Sequence, residues 1–460
     1  MFSALLNPIV LSELQPLSFH PIIKLNPLLS IGKAKAGRYL FCPDSEFKYY
    51  SYLWHNLSIK QIYRTYNMKQ YNFDETIERR GTNCVKFDLL KKEFGNEHLI
   101  PLWVADMDFP AAPCIMDALR RRIDHGVFGY THVRDEYYSA LTGWFLREHG
   151  YEFSREDVIY IPGVVPALSA IIKALVPVGN GVIVMTPVYN CFFSSVRNNG
   201  CEVVECPLES HPAGDGEFSY SIDFPLLEEL ASDPRNSMLI LCNPHNPGGR
   251  VWTVEEMTRV RDICRSHGVQ VLSDEIHCEL TMPGYKYTPY GILDPEAVVC
   301  VAPTKAFNIA GLQIANIVCR NPHTLALVNR AVNINEVCDV NPLGVEALIA
   351  AYTPDGKEWL DAVKAYLAAN WQYTRDLLSE QLPQCPLARL EATYLPWLDV
   401  SSLGVTGSRL ADMIERECNV KVNSGAMYGD DRYIRLNIAC SRSLLDEALT
   451  RIIAVIKSRL

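Results

Sequence analysis

Short apolar runs alternate with helix-like segments between about residues 155 and 305. The apolar runs read "VIYIPG", "GVIVMTP", "MLILCNP", "VQVLSDEI" and "VVCVAPTK". A short run that is apolar at nearly every position is typical of a strand buried on both faces. The segments between them repeat apolar residues at three- and four-residue spacing, as amphipathic helices do. The alternation predicts an α/β fold with parallel strands and helices on both faces of the sheet.

One of the connecting segments carries clear helix boundaries. Thr253 and Glu256 have the T-x-x-E spacing of a capping box, and Gly268 is placed to end the helix. The apolar residues between them are Met257, Val260, Ile263 and Cys264. This spacing predicts a helix between two strands, with one apolar face packed on the sheet.

The pattern changes beyond about residue 357. A long helical stretch, "GKEWLDAVKAYLAANWQYTRDLLSEQL", precedes the strand-like runs "YLPWLDVS", "VKVNSG" and "YIRLNIA", and a closing helix is predicted from Leu444 to Leu460. Strands flanked by helices after the main sheet predict a second, smaller α+β domain. The predicted division is an N-terminal extension, an N-terminal segment that contributes to the small domain and the active site, a large domain and a small C-terminal domain: 1–67, 68–110, 111–356 and 357–460.

Composition narrows the classes of partner. The chain has 460 residues, a net charge of -10 and no apolar run of 18 residues, and its basic residues form no cluster. We therefore expect small molecules or proteins as partners, with neither nucleic acid nor a membrane. The 15 cysteines include no C-x-x-C pair, which favours reduced thiols and a cytoplasmic protein over disulfides or a metal site.

The first 67 residues differ from the rest. They contain seven Lys and Arg residues against three Asp and Glu residues, a net charge of +4, and their aromatic residues follow no helical or strand period. The opening run "MFSALLNPIVLSELQP" lacks a basic residue and is interrupted by prolines, so it does not match a secretory signal. We interpret this segment as an appendage, with a native start at Met68 as the alternative.

Polar residues follow several of the predicted strands. The run "VAPTK" ends in Lys305, "VLSDEIH" carries an acid, "LCNPHNPGG" carries two asparagines, and "IPGVVPALSA" places a glycine before a helix. A lysine at a strand end is by itself most often structural. Because ligands collect at the carboxyl ends of parallel strands, however, an amine, an acid, an amide and a helix start together indicate one cofactor.

These motifs carry a family resemblance. The segments "PLWVADMDFP", "FGYT", "PGVVPAL", "TPVYNCF", "NPHNPGG", "SDEIH", "APTKAFNIAGLQ" and "RLNIACSRS" occur in the order found in fold-type I pyridoxal-phosphate enzymes. From Met68 to Leu460 the chain resembles aminotransferase class I/II, and within it the cystathionine β-lyase, or carbon–sulfur lyase, group. The resemblance implies a large domain with a mostly parallel seven-stranded sheet, a smaller α+β domain, pyridoxal 5′-phosphate and a homodimer with shared active sites.

The resemblance also implies roles for single residues. Lys305 would form the imine with the cofactor and later take the Cα proton, which requires a neutral amine and thus a lowered pKa. Asp274 would keep the pyridine nitrogen protonated, and Asn246 would donate to the phenolic oxygen of the cofactor. Tyr189 would stack on the pyridine ring. His277 stands where most aminotransferases have tyrosine, and histidine there is usual in the lyase group.

Phosphate binding is implied at the start of one helix and beside the lysine. The amides of Val164 and Val165 and the hydroxyl of Thr304 are the expected donors. Two positions depart from the usual pattern, because Ala302 stands where many members have serine and Gln313 where they have arginine. Part of the usual set of phosphate-binding side chains is therefore missing.

Three further residues are implied by the resemblance. Tyr130 of "FGYT" resembles the tyrosine that reaches the phosphate in the neighbouring subunit, so each site would depend on a dimer. Arg435 resembles the arginine that binds the substrate α-carboxylate through its planar fork. Ala105, within Trp103–Phe109, matches a backbone contact to the same carboxylate.

The reaction expected from the resemblance is β-elimination. A cysteine S-conjugate such as cystathionine would yield a thiol (homocysteine), pyruvate and ammonia. One alternative is an aminotransferase that acts on aromatic or aliphatic amino acids, because the cofactor supports both reactions. Another is a regulatory or binding protein that retains the fold, although such a protein would have no need of Lys305, Asp274, Asn246 and Arg435 together.

Overall fold

The structure is a computed structural model, and it describes residues 71–458. These residues belong to one compact unit. The predicted extension, residues 1–67, lies outside the described residues, and its interpretation as an appendage stays a prediction. The domain boundaries after residues 110 and 356 also stay predictions.

Helices and strands alternate along most of the described chain. The α-helices are α1 (Val85–Asp88), α2 (Leu90–Phe94), α3 (Pro113–His125), α4 (Asp135–His149), α5 (Val164–Leu175), α6 (Cys191–Asn198), α7 (Phe224–Ser232), α8 (Val254–Ser266), α9 (Tyr290–Leu293), α10 (Pro322–Ile334), α11 (Pro342–Ala351), α12 (Pro354–Gln381), α13 (Gly407–Cys418) and α14 (Arg442–Lys457). The strands are β1 (Ile100–Pro101), β2 (Val158–Ile161), β3 (Gly181–Val184), β4 (Glu202–Glu205), β5 (Glu209–Gly214), β6 (Glu217–Ser221), β7 (Asn236–Cys242), β8 (Gln270–Asp274), β9 (Val298–Val301), β10 (Ala315–Cys319), β11 (Leu387–Ala388), β12 (Trp397–Asp399), β13 (Val420–Lys421), β14 (Asn423–Ser424) and β15 (Tyr433–Arg435).

The main sheet has seven strands in the order β2-β10-β9-β8-β7-β3-β4. The neighbours from β9 to β4 pair in parallel, whereas β10 is antiparallel to both β9 and β2. Two antiparallel steps restore the direction, so β2 runs the same way as β9. All strands of this sheet except β10 therefore end at the same edge, which confirms the predicted mostly parallel seven-stranded sheet.

Both faces of the sheet are covered because its strands are apolar at successive positions. Val182 and Val184 pack with α5 and α10 on one face, and Ile183 packs with α7 and α8 on the other. Each of these three side chains is fully buried. Burial of one aliphatic side chain of this size contributes roughly 1.5–3 kcal/mol, so the two helical layers hold the sheet in place.

Helix α8 begins and ends as its sequence predicts. The hydroxyl of Thr253 accepts a hydrogen bond from the Glu256 amide (3.1 Å), and the Glu256 carboxylate accepts one from the Thr253 amide (2.8 Å). Gly268, two residues after the last helical residue, has a φ of 71°, which a glycine adopts without strain. Its predicted apolar face is buried: Met257, Val260, Ile263 and Cys264.

A second sheet has the order β14-β15-β12-β11-β6-β5. Four of its strands come from the C-terminal part of the chain, but the hairpin β5–β6 comes from residues 209–221. Strand β6 pairs with β11 in parallel, through Glu217 with Leu387 and Phe218 with Ala388. The sequence pattern did not predict this hairpin, because β5 lies at the exposed edge and is mostly polar.

The long helix α12 and the closing helix α14 were both predicted from the sequence. Helix α12 begins at Thr353, whose hydroxyl accepts from the Gly356 amide (3.2 Å). Its apolar stripe includes Trp359, Leu360 and Val363, which are buried in the same core as the apolar face of α14. Within residues 71–458, no helix has both the length and the apolar character needed to cross a membrane.

Candidate active site

The sheet topology brings together the polar residues that follow its strands. Lys305 follows β9, Asp274 ends β8, Asn246 follows β7, Tyr189 follows β3 and Val164 follows β2. Because these five strands end at one edge of the sheet, the five residues surround one region. Arg435, at the end of β15 in the second sheet, hydrogen bonds to Asn246 and so joins them.

Lys305 is a half-buried amine with a lowered pKa. Its Nζ donates to the backbone carbonyl of Ala105 over 2.6 Å. Burial, and after it the positive charge of Arg435, lower the pKa of Lys305 to about 8, although the carboxylates of Asp106 and Asp274 act in the opposite direction. A substantial fraction of this amine is therefore neutral near pH 8, as a nucleophile or a base requires.

Asp274 is a buried carboxyl at the end of β8. Burial raises its pKa to about 7, and the neighbouring Glu275 also raises it, while the Ile276 amide and the charge of Lys305 lower it. The Ile276 amide donates to Asp274 Oδ1 over 3.2 Å. The raised pKa shows that the protein alone does not compensate the negative charge. A cationic ring nitrogen beside Asp274 would supply that compensation.

Glu275 differs from Asp274 because protein donors already occupy it. Its carboxylate accepts hydrogen bonds from the Tyr290 amide (2.9 Å), the Ser273 hydroxyl (2.8 Å), the Asn243 side-chain amide (3.2 Å) and the Tyr287 hydroxyl. These contacts fix the end of β8 beneath the site. We therefore assign Glu275 to support of the strand end and leave Asp274 as the carboxyl available for a ligand.

Arg435 is buried and held in one orientation. One terminal nitrogen donates to the Asn246 side-chain carbonyl (3.3 Å) and the other to the Trp103 backbone carbonyl (3.0 Å). The guanidinium lies 4.7 Å from the centre of the Tyr428 ring, in a cation–π contact. None of these three partners is an acid, so its positive charge is available to an anionic ligand such as a carboxylate.

His277 and Tyr189 are the ring side chains of the site. Burial lowers the pKa of His277 to about 3, and the charges of Lys305 and Arg435 lower it as well, so its imidazole is neutral at physiological pH. Its Nδ1 is buried and has no hydrogen-bond partner in the described chain. Burial raises the pKa of the Tyr189 phenol, which lies near Asp274 and Arg435. Both rings are therefore uncharged.

Helix α5 begins with Val164 and Val165, whose amides have no acceptor within the helix. Gly163 precedes them, and a Cβ at this position would come within 3.3 Å of Pro166 Cδ. Thr304 is buried beside Lys305 at the same edge of the sheet. A helix start with free amides and a neighbouring hydroxyl can hold a phosphate, and these are the donors predicted from the sequence.

Some predicted residues lie outside this cluster. Tyr130, in the loop between α3 and α4, is fully exposed and does not reach Lys305 of its own chain. Ala302 is buried, and Gln313 is exposed, with a φ of 50°. Ala105 lies at the site, but its carbonyl accepts from Lys305. Its expected contact with a substrate carboxylate stays a prediction.

Asn437 was not predicted from the sequence as a residue of the site. Its side-chain amide donates to the backbone carbonyls of Val104 (2.5 Å) and Asp106 (2.7 Å), on either side of Ala105. These bonds hold the segment that carries the Lys305 acceptor. Asn437 lies two residues after Arg435, and the alternation of extended chain places both side chains on one face. This two-residue alternation was the sequence feature from which Asn437 could have been predicted.

Cys191 and Tyr428 were also not predicted from the sequence as residues of the site. Cys191 is half-buried at the start of α6, and it lies close enough to Tyr189, Lys305 and Tyr428 to influence their protonation. Tyr428 accepts a hydrogen bond from the Asn423 side-chain amide (3.1 Å). Both residues belong to loops or helix starts without periodicity, so the sequence pattern carried no signal for them.

Comparisons with known proteins agree with this fold. The family model for aminotransferase class I and II matches residues 97–452. The chain is 39% identical over 391 residues to cystathionine beta-lyase PatB of Bacillus subtilis, a match that covers 84% of this chain and 100% of PatB. Among solved structures, cystalysin from Treponema denticola, which contains pyridoxal 5′-phosphate, has a TM-score of 0.80 at 31% identity, covering 85% of this chain and all of cystalysin. The PLP-bound C-S lyase from Staphylococcus hominis has a TM-score of 0.78 at 32% identity and covers 84% of this chain and 98% of the lyase.

The fold and the matches define a fold-type I pyridoxal-phosphate enzyme, and the chain belongs to the aminotransferase class I and II family. Within that family it groups with the cystathionine β-lyases and carbon–sulfur lyases. The resemblance expected from the motifs is therefore confirmed. Pyridoxal 5′-phosphate is the cofactor of this family, which confirms the expected cofactor.

The residues of the site fit this cofactor. Lys305 offers an amine of lowered pKa for the aldehyde, and Asp274 offers an uncompensated carboxyl for the protonated ring nitrogen. The unpartnered Nδ1 of His277 is a further buried polar atom available to a ligand. The free amides at the start of α5 suit the phosphate. We expect Tyr189 to stack on the ring and Asn246 to donate to its phenolic oxygen.

Proposed function

We propose that this protein is a pyridoxal-phosphate-dependent carbon–sulfur lyase, which eliminates the thiol from cysteine S-conjugates such as cystathionine. With cystathionine the products would be homocysteine, pyruvate and ammonia. The observation that carries the proposal is that Lys305 and the buried Asp274 follow neighbouring strands at one edge of the main sheet, with the buried Arg435 joined to the same edge through Asn246, because this arrangement provides a base, an anchor for a ring nitrogen and a carboxylate site together. The names of the related lyases support elimination over transamination.

The cofactor, when bound, accepts the electron pair left when a proton leaves the substrate Cα. Lys305 removes that proton through its neutral Nζ and carries it as an ammonium. Asp274 would hold the ring nitrogen in its protonated form by accepting a hydrogen bond from it. The buried position of Asp274 strengthens this interaction, because little water competes for the carboxylate.

Arg435 positions the substrate by pairing with its α-carboxylate. The guanidinium is already oriented by Asn246 and Trp103, so little conformational freedom is lost when the carboxylate binds. A planar fork can make two parallel hydrogen bonds, which fix both the position and the tilt of the amino acid. The Cα–H bond is thereby directed towards Lys305.

Elimination then requires a proton for the leaving sulfur. The Cβ–S bond breaks with its electron pair on sulfur, and we assign the Lys305 ammonium as the donor that returns the Cα proton to the thiolate. The remaining three-carbon enamine reacts with water to give pyruvate and ammonia. No second substrate is consumed, and the Lys305 amine is neutral again for the next turnover.

Assembly and compartment are part of the proposal. We propose a homodimer in which Tyr130 contacts the site of the partner subunit, supported by its full exposure in the single chain. We also propose a cytoplasmic location, supported by the free state of every cysteine in the part of the chain that the structure describes.

The test is steady product release from the purified full chain with pyridoxal phosphate. Cystathionine and S-ethyl-L-cysteine are supplied with and without 2-oxoglutarate, and pyruvate and free thiol are measured. A lyase releases both continuously without the keto acid. An aminotransferase, the alternative function, stops after one turnover and resumes when 2-oxoglutarate is added, which would reject the proposal. The Lys305→Ala variant is the blank.

A further inference from the structure

Residues 103–106, which we call the bridging segment, connect the two basic side chains of the site. Arg435 donates to the Trp103 carbonyl over 3.0 Å, and Lys305 donates to the Ala105 carbonyl over 2.6 Å. The two acceptors lie two residues apart along the chain. The positions of the amine and of the guanidinium therefore both depend on this segment.

The Ala105 carbonyl has a second donor, Tyr394. The Tyr394 hydroxyl lies 3.0 Å from the carbonyl oxygen, and it must be the donor because a carbonyl can only accept. Tyr394 is fully buried in the segment between β11 and β12. Burial raises the pKa of its phenol, so the hydroxyl keeps its proton. The two lone pairs of one carbonyl oxygen thus accept from Lys305 and Tyr394 at once.

The backbone directly before Tyr394 is strained. Thr393 has a φ of 75°, a conformation that β-branched residues rarely adopt. Its amide donates to the Leu280 carbonyl (2.8 Å), and its hydroxyl accepts from the Leu395 amide (3.2 Å). The Tyr394 carbonyl accepts from the Ile438 amide (3.1 Å). Strain of this kind persists only where the surrounding contacts enforce it, and it is concentrated at functional sites.

Lys305 cannot keep its hydrogen bond to Ala105 when it reacts with the cofactor. As the neutral amine condenses with the aldehyde, a bond forms between Nζ and the aldehyde carbon, and both amine hydrogens leave with the aldehyde oxygen as water. The hydrogen that the amine donated to the Ala105 carbonyl is lost in this step. Tyr394 undergoes no such change, so its hydroxyl is the donor that remains.

We propose that Tyr394 is a positioning residue of the site, whose hydroxyl holds the bridging segment in place while Lys305 leaves the Ala105 carbonyl and returns to it. The inference rests on the proposed role of Lys305 and deepens it. Each hydrogen bond that it uses lies within the described part of a single chain. Because the bridging segment also accepts from Arg435, Tyr394 keeps the amine and the guanidinium in a constant relation to each other.

The protonation of Lys305 gives a readout that does not depend on turnover. A hydroxyl hydrogen carries a partial positive charge, so the Tyr394 hydroxyl disfavours an ammonium that shares its acceptor. Tyr394→Phe removes this hydrogen and should raise the pKa of Lys305 by about 0.5 pH units, the order of one hydrogen bond. The other groups that act on the protonation of this amine are unchanged in the variant: Arg435, Asp106, Asp274 and Cys191.

The measurement uses the full chain stripped of cofactor. Pyridoxal phosphate is added at a series of pH values, and the rate at which it attaches to Lys305 is followed by absorbance. Only the neutral amine attacks the aldehyde, so the midpoint of the rate against pH reports the pKa of Lys305. The midpoint in Tyr394→Phe should lie above that of the unaltered protein. An unchanged or lower midpoint would overturn the inference.

Tyr137→Phe is the matched control. Tyr137 is also a fully buried tyrosine, but its hydroxyl donates to the Asn316 side chain in β10 over 2.6 Å and not to the bridging segment. Both variants remove one buried hydroxyl, so both should lose some stability. The midpoint of cofactor attachment should stay in place in Tyr137→Phe. The same upward shift in both variants would show a general effect of lost stability and would overturn the role of Tyr394.

A double-mutant cycle tests whether the two donors share one carbonyl. Urea unfolding of the cofactor-free protein is measured for Lys305→Ala, for Tyr394→Phe and for the double variant. Loss of one donor leaves the Ala105 carbonyl with the other, whereas the double variant removes both. The double variant should therefore lose more stability than the sum of the two single losses. Additive losses would overturn the inference.

These results are separable from the lyase assay. If no pyruvate forms from any conjugate, but the midpoint shifts in Tyr394→Phe and the cycle is not additive, the proposed lyase function fails and the positioning role of Tyr394 stands. If pyruvate forms steadily, but the midpoint does not shift and the cycle is additive, the lyase function stands and the positioning role is wrong.

Discussion

The Nζ atom of Lys305 lies 2.6 Å from the backbone carbonyl oxygen of Ala105. This acceptor is a neutral dipole, so it holds the amine in place without compensating a full positive charge. Burial and the nearby Arg435 therefore lower the pKa of Lys305 even though its ammonium is hydrogen bonded. The segment around Ala105 thus positions the amine while the site keeps it easily deprotonated.

Replacement of this amine should remove the chemistry and preserve the fold. We expect Lys305→Ala to abolish turnover and the borohydride-reducible link to the cofactor, because no other amine lies in its place. Its thermal midpoint should change by no more than about 5 °C, since a half-buried side chain at a strand end contributes little to the core. Retained lyase activity in a folded variant would contradict the assigned base.

The pKa of Lys305 should depend on Arg435. In the cofactor-free protein, the rate of cofactor attachment should rise with pH around a midpoint near 8, because only the neutral amine attacks the aldehyde. Arg435→Met removes a positive charge that disfavours the ammonium, so the midpoint should move upwards, towards 10.5. Attachment is followed by absorbance from pH 6 to 10.

Arg432→Met is the matched control for that experiment. Arg432 belongs to the same segment but is paired with Asp430 at the surface, over 2.6 Å. Its loss should leave the midpoint unchanged. A midpoint that moves equally in both variants, or in neither, would mean that the charge of Arg435 does not govern the Lys305 amine.

Asp274→Asn should retain the cofactor and lose most activity. The amide fills the same space, but it cannot hold a proton at the ring nitrogen as a carboxylate does. We expect a fall in kcat of at least about 100-fold, the order found when one positioned electrostatic partner is lost. Activity near that of the unaltered protein would contradict the electron-sink role.

The same substitution should change how stability depends on pH. The pKa of Asp274 is raised from 3.8 to about 7, so the folded cofactor-free protein holds a proton that the unfolded chain releases. This destabilisation is absent below pH 4, grows as the pH rises from about 4 to about 7, and reaches about 4 kcal/mol above pH 7. In Asp274→Asn this component disappears. Urea unfolding at pH 4, 6 and 8 measures it.

Lys86 should stabilise the fold through its buried ion pair with Asp108. Lys86→Met leaves part of the Asp108 charge uncompensated, and the free energy of unfolding should fall by about 3 kcal/mol. Lys91→Met is the matched control, because Lys91 and its partner Glu97 are exposed, and it should cost less than about 1 kcal/mol. Equal losses in urea unfolding would contradict the buried pair.

Deletion of residues 1–67 should leave activity unchanged. Every residue assigned to the site lies after this segment, and the segment has the composition of an appendage. Activity with S-ethyl-L-cysteine and the thermal midpoint are compared with those of the full chain. An insoluble or inactive truncated protein would show that the segment takes part in the fold.

The sequence predicted the local elements of the main sheet and the residues at its strand ends. Strand β9 is apolar throughout and is followed by Thr304 and Lys305, so both its burial and its polar end could be read directly. Helix α8 could be delimited because the capping box of Thr253 and Glu256 depends on residues three apart. Interactions between residues this close along the chain can be predicted from the local sequence.

The sequence pattern could not predict how separate segments meet. Strand β5 is a polar edge strand, and its partner β6 joins a strand about 170 residues later along the chain, a pairing that local propensity does not specify. Strand β10 has the apolar pattern of its neighbours, so its antiparallel direction follows only from the connection that precedes it.

The sequence predicted the kind of fold and the family, and it proposed a lysine, an acid and an arginine for the site, since these depend on local pattern and on motifs in order. The tertiary structure alone decided which groups surround them. Cys191 influences Lys305, Tyr428 lies against Arg435, and Asn437 holds the segment around Ala105, while the low pKa of Lys305 depends on burial and on Arg435. The burial of a side chain and the electrostatic potential at it depend on all the groups that lie close in space. Both are therefore set only when the chain has folded.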